Sequence, residues 1–112
     1  MASESSPRIE FLYWSGCPSW EQALRELREE LSAIGLDPGG VEVRAVETDE
    51  AARQEGFPGS PTIRIAGVDF DPPAEQPTGL TCRIYRLADG RVSALPDRGR
   101  LRDALARSQG AN

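Results

Sequence analysis

Apolar and polar residues change period several times along the chain, and each change marks an element. In Arg8 to Trp14, RIEFLYW, alternation puts Ile9, Phe11 and Tyr13 on one face and Leu12 and Trp14 on the other. Apolar groups on both faces are the pattern of a central strand covered from two sides. Ser15 and Gly16 then supply a turn, Cys17 falls in the N-cap region, and Pro18 stands where a first helical turn tolerates proline. From there Trp20, Leu24, Leu27, Leu31 and Ile34 recur at spacings of four and three, the core-facing stripe of a helix running to about Ile34. Glu21, Arg25 and Glu29 follow one another at i,i+4 on the opposite side, and Gly35 provides the stop.

Val41 to Val46, VEVRAV, predicts a second strand with Val41, Val43 and Ala45 on one face. The short Pro-Gly-Gly link before it favours parallel pairing with the first strand in a right-handed βαβ unit. Thr48 or Asp49 can cap a short helix through Gln54, ended by Gly56. FPGSPTIRIAG gives a third strand, Thr62 to Ala66, ended by Gly67, and the acidic, proline-rich Val68 to Gly79 reads mostly as loop. LTCRIYRLADGRVSAL reads as a hairpin, Leu80 to Leu87 and Arg91 to Leu95, around Ala88-Asp89-Gly90. Asp97 caps a last helix that turns Leu101, Ala104 and Leu105 inward. The ends, residues 1–7 and 108–112, are expected to be flexible. The order βαβαββα makes residues 1–112 one α/β domain, a mixed four- to five-stranded sheet flanked by helices on both faces.

Composition narrows what such a domain can do. At 112 residues, 38% hydrophobic and 28% charged, the chain suits a single soluble core. A net charge of -5 sets the surface against phosphate backbones and anionic bilayers, and no apolar run reaches spanning length. No nucleic acid and no membrane partner is therefore expected, and with no signal-like apolar run at the N-terminus the expected location is cytoplasmic. All 13 basic residues are arginine and histidine is absent. That removes histidine bases, Schiff-base lysines and imidazole metal ligands. Cys17 and Cys82 alone cannot complete a four-ligand zinc site, so no resident metal and no cofactor is expected. In a reducing cytoplasm both read as thiols.

The chemistry therefore falls on cysteine. Placed at a helix N-terminus, Cys17 meets the positive end of the dipole and free N–H groups, which favour thiolate. Cys82 has two readings. If its strand pairs with Thr62 to Ala66, it is a small buried hydrophobe far from Cys17, and the pattern leans this way. If Val68 to Phe70 completes the hairpin instead, the loop through Gly79 returns Cys82 to the Cys17 end. Trp20 reads as core packing at the first helical turn ahead of a ligand-stacking role.

SGCPSW at Ser15 to Trp20 and GSPT at Gly59 to Thr62, set in this element order, resemble the thioredoxin-like superfamily over nearly the whole chain. CPSW, GSPTIRI and GLTCRIYR together are similar to small bacterial thioredoxin-family proteins, some labelled alkylmercury lyase. The resemblance implies a thioredoxin-like fold with Pro61 cis against Cys17, and a backbone at Ser60 presenting hydrogen bonds to a bound thiol compound. It makes Cys17 and Cys82 the catalytic candidates and Ser60, Pro61 and Trp20 the substrate-binding ones. Trp20 is also the departure, because the dithiol form of the motif carries its resolving cysteine there. The Cys17 thiolate is left with an outside low-molecular-weight thiol, with Cys82, or with a thiophilic metal. The expected function is thiol–disulfide exchange with a low-molecular-weight thiol or protein disulfide as partner. One alternative is a mercury or organomercury protein using Cys17 and Cys82, with Asp69 or Asp71 as acid unless these are solvated loop charges. A second alternative is a non-catalytic binding module.

Overall fold

The computed structural model describes residues 7–73 and 77–110 of the chain. Ile9–Tyr13 forms β1, and its apolar side chains on both faces put it inside a sheet. On one side it pairs in parallel with β2, Val41–Ala45, Ile9 standing opposite Val41. On the other it pairs antiparallel with β3, Thr62–Ile65, Phe11 standing opposite Ile63. A two-residue turn at Ala66 and Gly67, both at positive φ, returns the chain as β4, Val68–Asp69, against β3. The sheet order is β2-β1-β3-β4. Three helices complete a mixed α/β arrangement: α1, Trp20–Ala33; α2, Asp49–Glu55; and α3, Arg98–Gly110.

Alternation along β1 divides the core in two. Ile9 and Phe11, with Ile63 and Ile65, meet Leu24, Leu27 and Leu31 of α1 and Leu101 and Leu105 of α3. On the opposite face Leu12 meets Val46, Ala52 of α2 and Phe57. Helices thus cover both faces, and the predicted α1 stripe is the one that packs. The α2 boundaries also follow the sequence. Thr48 Oγ1 accepts the Ala51 N–H at 3.0 Å, and Gly56 closes the helix at φ 64°, a conformation that glycine adopts without a Cβ penalty.

Three expectations are corrected. The helix after β1 begins at Trp20 with Ser19 as its N-cap residue, so Cys17 lies in the preceding turn and caps nothing. The hairpin predicted over Leu80 to Leu95 shrinks to β5, Tyr85–Arg86, and β6, Val92–Ser93, which form their own two-stranded ribbon outside the main sheet. Residues 81–83 turn their backbone toward Ser60 instead. Finally, α3 continues through residues 108–110, which were expected to be flexible. The remaining terminal residues, 1–6 and 111–112, lie outside the described residues, while Pro7 is half-buried.

The start of α3 is held by polar contacts that the apolar stripe does not reveal. Glu30 of α1 is 2% exposed and accepts from Arg98 Nε at 2.8 Å and Arg102 Nε at 2.6 Å, clamping α3 along α1. On the α2 side Glu10, also buried, takes Arg44 at 2.9 Å, and Arg44 and Arg64 both reach Glu55. No helix among the described residues is long and apolar enough to cross a membrane.

Candidate functional site

The site grows from two turns at the same end of the central strands. After β1, the Cys17 N–H donates to the Trp14 carbonyl at 3.0 Å, folding the chain back and burying the Cys17 side chain. Its sulfur lies 3.4 Å from Ser19 Oγ and 3.6 Å from the Ser60 carbonyl oxygen. Ser60 and Pro61, joined by a cis peptide bond, lead into β3 and are buried. The sequence motif around Cys17 and the one around Pro61 therefore do meet.

Cys82 arrives as a third component. Ser60 donates its N–H to the Thr81 carbonyl and accepts the Arg83 N–H, both at 2.8 Å, which makes Cys82 the parallel bridge partner of Ser60. Gly59 permits this approach. It sits at φ 137°, and a Cβ there would lie 2.8 Å from Arg83 Cγ and 3.3 Å from Arg83 N. The backbone groups of Ser60 that the resemblance assigned to a bound thiol compound are thus occupied by the chain's own residues 81 and 83. Cys82 is exposed, unlike the buried small hydrophobe toward which its pattern leaned.

Arg83 and Tyr85 hold this segment down. The Arg83 guanidinium, itself buried, donates to Asp69 Oδ2 at 2.8 Å and the Asp71 carbonyl at 2.5 Å, and lies 4.4 Å above the Tyr85 ring. Tyr85 donates its hydroxyl to the Pro61 carbonyl at 2.6 Å. Burial is the first cause pushing the Tyr85 phenol well above its ordinary range, which keeps it a donor.

The two thiols are shifted in opposite directions. Burial alone would raise the Cys17 pKa, but hydrogen bonds from the Ser19 hydroxyl, the Ser60 hydroxyl, the Ser19 backbone N–H and Cys82 outweigh it, and the net shift is downward. The Ser60 hydroxyl is buried and has no hydrogen-bond partner among the described residues, which leaves it free to donate to a Cys17 thiolate. Cys82 is raised, by desolvation first and then by its hydrogen bond to Cys17 and the Cys17 charge. Because Cys82 is exposed as a residue, the two contributions from Cys17 are the ones tied to a specific contact. Cys17 ionises first, and Cys82 keeps its proton beside it.

The other candidates fall elsewhere. Trp20 stacks on Tyr13, ring centroids 4.0 Å apart at 18°, and packs against the α1/α3 core. Asp69 is neither a solvated loop charge nor a free acid, since it is the ionic partner of Arg83. Asp71 takes part through its backbone, its N–H donating to Asp69 Oδ1 at 2.9 Å. No group of three metal-binding side chains occurs among the described residues. Ser19, Arg83 and Tyr85 were not singled out from the sequence. Ser19 was findable as the residue before an apolar helical run, the ordinary place of an N-cap. Arg83 and Tyr85 were not, because CRIYR reads equally well as a half-exposed strand.

No family model, curated protein or solved structure matches the chain.

Proposed function

We propose that the protein is a thioredoxin-like thiol redox protein in which the Cys17 thiolate attacks sulfur in disulfides or mixed disulfides. One observation carries the reading: the Cys17 sulfur lies 3.4 Å from the Ser19 hydroxyl, and its pKa is shifted downward against the penalty of burial. The thiolate, not the thiol, is the nucleophile in such exchange. Support for the fold assignment is the meeting of the two segments that carried the resemblance, Cys17 on the β1–α1 turn and Ser60 at the head of β3. A cysteine only 2% exposed favours a low-molecular-weight thiol partner over a bulky protein disulfide.

The test is catalytic turnover of glutathione disulfide by wild type and Cys17→Ser in the presence of a recycling reductant. Turnover should fall to background in Cys17→Ser. Turnover at the wild-type rate in that variant would remove Cys17 from the chemistry.

One observation favours a second reading, mercury binding: two thiols brought to the same residue, Ser60, are a soft ligand pair. Cleavage of a carbon–mercury bond also needs a proton donor, and the Asp69 carboxylate is committed to Arg83. Mercury titration of each single cysteine variant tests it. Loss of tight binding in both variants would support the reading, and loss in neither would end it.

A further inference from the structure

We propose that Cys82 is the second sulfur of the Cys17 couple: exposed Cys82 takes up the mixed disulfide with an outside thiol compound, and buried Cys17 attacks it there to close a Cys17–Cys82 disulfide. The inference rests on the redox reading above and supplies the resolving partner that position 20 lacks. Geometry carries it. One residue, Ser60, fixes both cysteines: its carbonyl faces the Cys17 sulfur at 3.6 Å, and the same carbonyl and its N–H bind the residues on either side of Cys82. The segment bearing Cys82 is anchored by the buried Arg83–Asp69 pair and lies against Gly59, where a side chain would push it off. Exposure then divides the work, Cys82 facing solvent and Cys17 buried behind it.

Each step balances. With R–S–S–R a low-molecular-weight disulfide, exposed Cys82 releases its proton to water as it attacks one sulfur. The S–S bond of the reagent breaks, RS⁻ leaves, and Cys82 carries –S–S–R. RS⁻ takes a proton back from water, giving RSH, and the Cys17 thiolate attacks the Cys82 sulfur. The bond from Cys82 to SR breaks and the second RS⁻ departs. The reagent has been reduced by two electrons, and the cysteine pair has been oxidised by two. Two equivalents of a low-molecular-weight thiol reverse the sequence, attacking at exposed Cys82 with Cys17 as leaving group. A low-pKa thiolate leaves readily, which suits the downward shift at Cys17.

Acid-quenched mass spectrometry after glutathione disulfide challenge tests the proposal in the full chain. Wild type should end about 2 Da below the reduced mass with no adduct, the mass of one disulfide. Trypsin should then yield residues 9–25 joined to residues 65–83. Cys17→Ser should hold a stable adduct on Cys82, and Cys82→Ser should react at least about tenfold more slowly than wild type because its remaining thiol is buried. Since the decisive product is read in wild type, misfolding of a variant does not remove the test. A wild type that accumulates a lasting adduct on Cys17 with Cys82 free would overturn the inference and leave the redox reading standing. A lasting adduct on Cys82 with Cys17 unreacted would overturn both.

Discussion

The Cys17 sulfur lies 3.6 Å from the Ser60 carbonyl oxygen across 43 residues of chain. That contact joins the turn after β1 to the entry of β3. The Ser60 backbone in turn fastens the segment that carries Cys82. A change at Ser60 should therefore be felt at Cys17.

Ser60→Ala separates chemistry from stability. The hydroxyl is buried with no hydrogen-bond partner among the described residues, a condition that costs about 1 to 3 kcal/mol. Its removal should leave stability unchanged or slightly raised in urea denaturation. The same substitution removes a donor to the thiolate, so the Cys17 pKa should rise. A destabilisation beyond about 1 kcal/mol, the size of an ordinary hydrogen bond, would show that the hydroxyl is bonded in the resting protein.

Asp69→Ala should be severe. Arg83 is 5% exposed at its side chain, and losing Asp69 leaves a buried charge without its counterion, a loss of about 3 to 5 kcal/mol. Arg83→Met with Asp69→Ala should recover part of that loss, giving strong non-additivity in a double-mutant cycle. Additive losses would show that the pair does not act as a unit.

Leu27→Ala, at a fully buried position on α1, should destabilise by about 2 to 5 kcal/mol. Arg28→Ala, on the exposed side, should stay within about 0.5 kcal/mol of wild type. Comparable shifts in denaturation midpoint would contradict the helix orientation.

Glu30 gives a pH signature. Its hydrogen bond from Arg102 is the largest cause holding its pKa below the ordinary carboxylate range, aided by Arg98. A folded-state pKa below the unfolded one means that the stabilisation is complete above the unfolded value of about 4.3 and is lost as pH falls through the folded value. Wild type should therefore lose stability in this acid window, and Glu30→Gln should show a shallower loss there. An unchanged acid limb in Glu30→Gln would remove the clamp from the account.

The elements legible in the sequence are those set by local period and capping. Ile9, Phe11 and Leu12 announce a covered strand, the stripe from Trp20 to Ile34 announces α1, and Thr48 with Gly56 brackets α2. The sequence also placed Cys17 and Ser60 in one site, through a resemblance rather than through their spacing. The placement of Cys82 was not legible, because it depends on bonds between distant residues: Ser60 with Thr81 and Arg83, and Arg83 with Asp69. None of these leaves a periodic trace. The start of α1 was misread because Pro18 suits a first helical turn, whereas the backbone delays the helix until after Ser19. Cys17 consequently owes its downward shift to hydrogen bonds of named residues, not to capping the helix.

The central claim is that Cys17 is an activated thiolate, and thiolate absorbance as a function of pH in Cys82→Ser tests it most directly, since Cys17 is then the only cysteine. With the Ser19 and Ser60 donors intact, the transition should fall below the free-cysteine value of about 8.5. A transition at or above that value would mean that burial outweighs the donors, and would contradict the account.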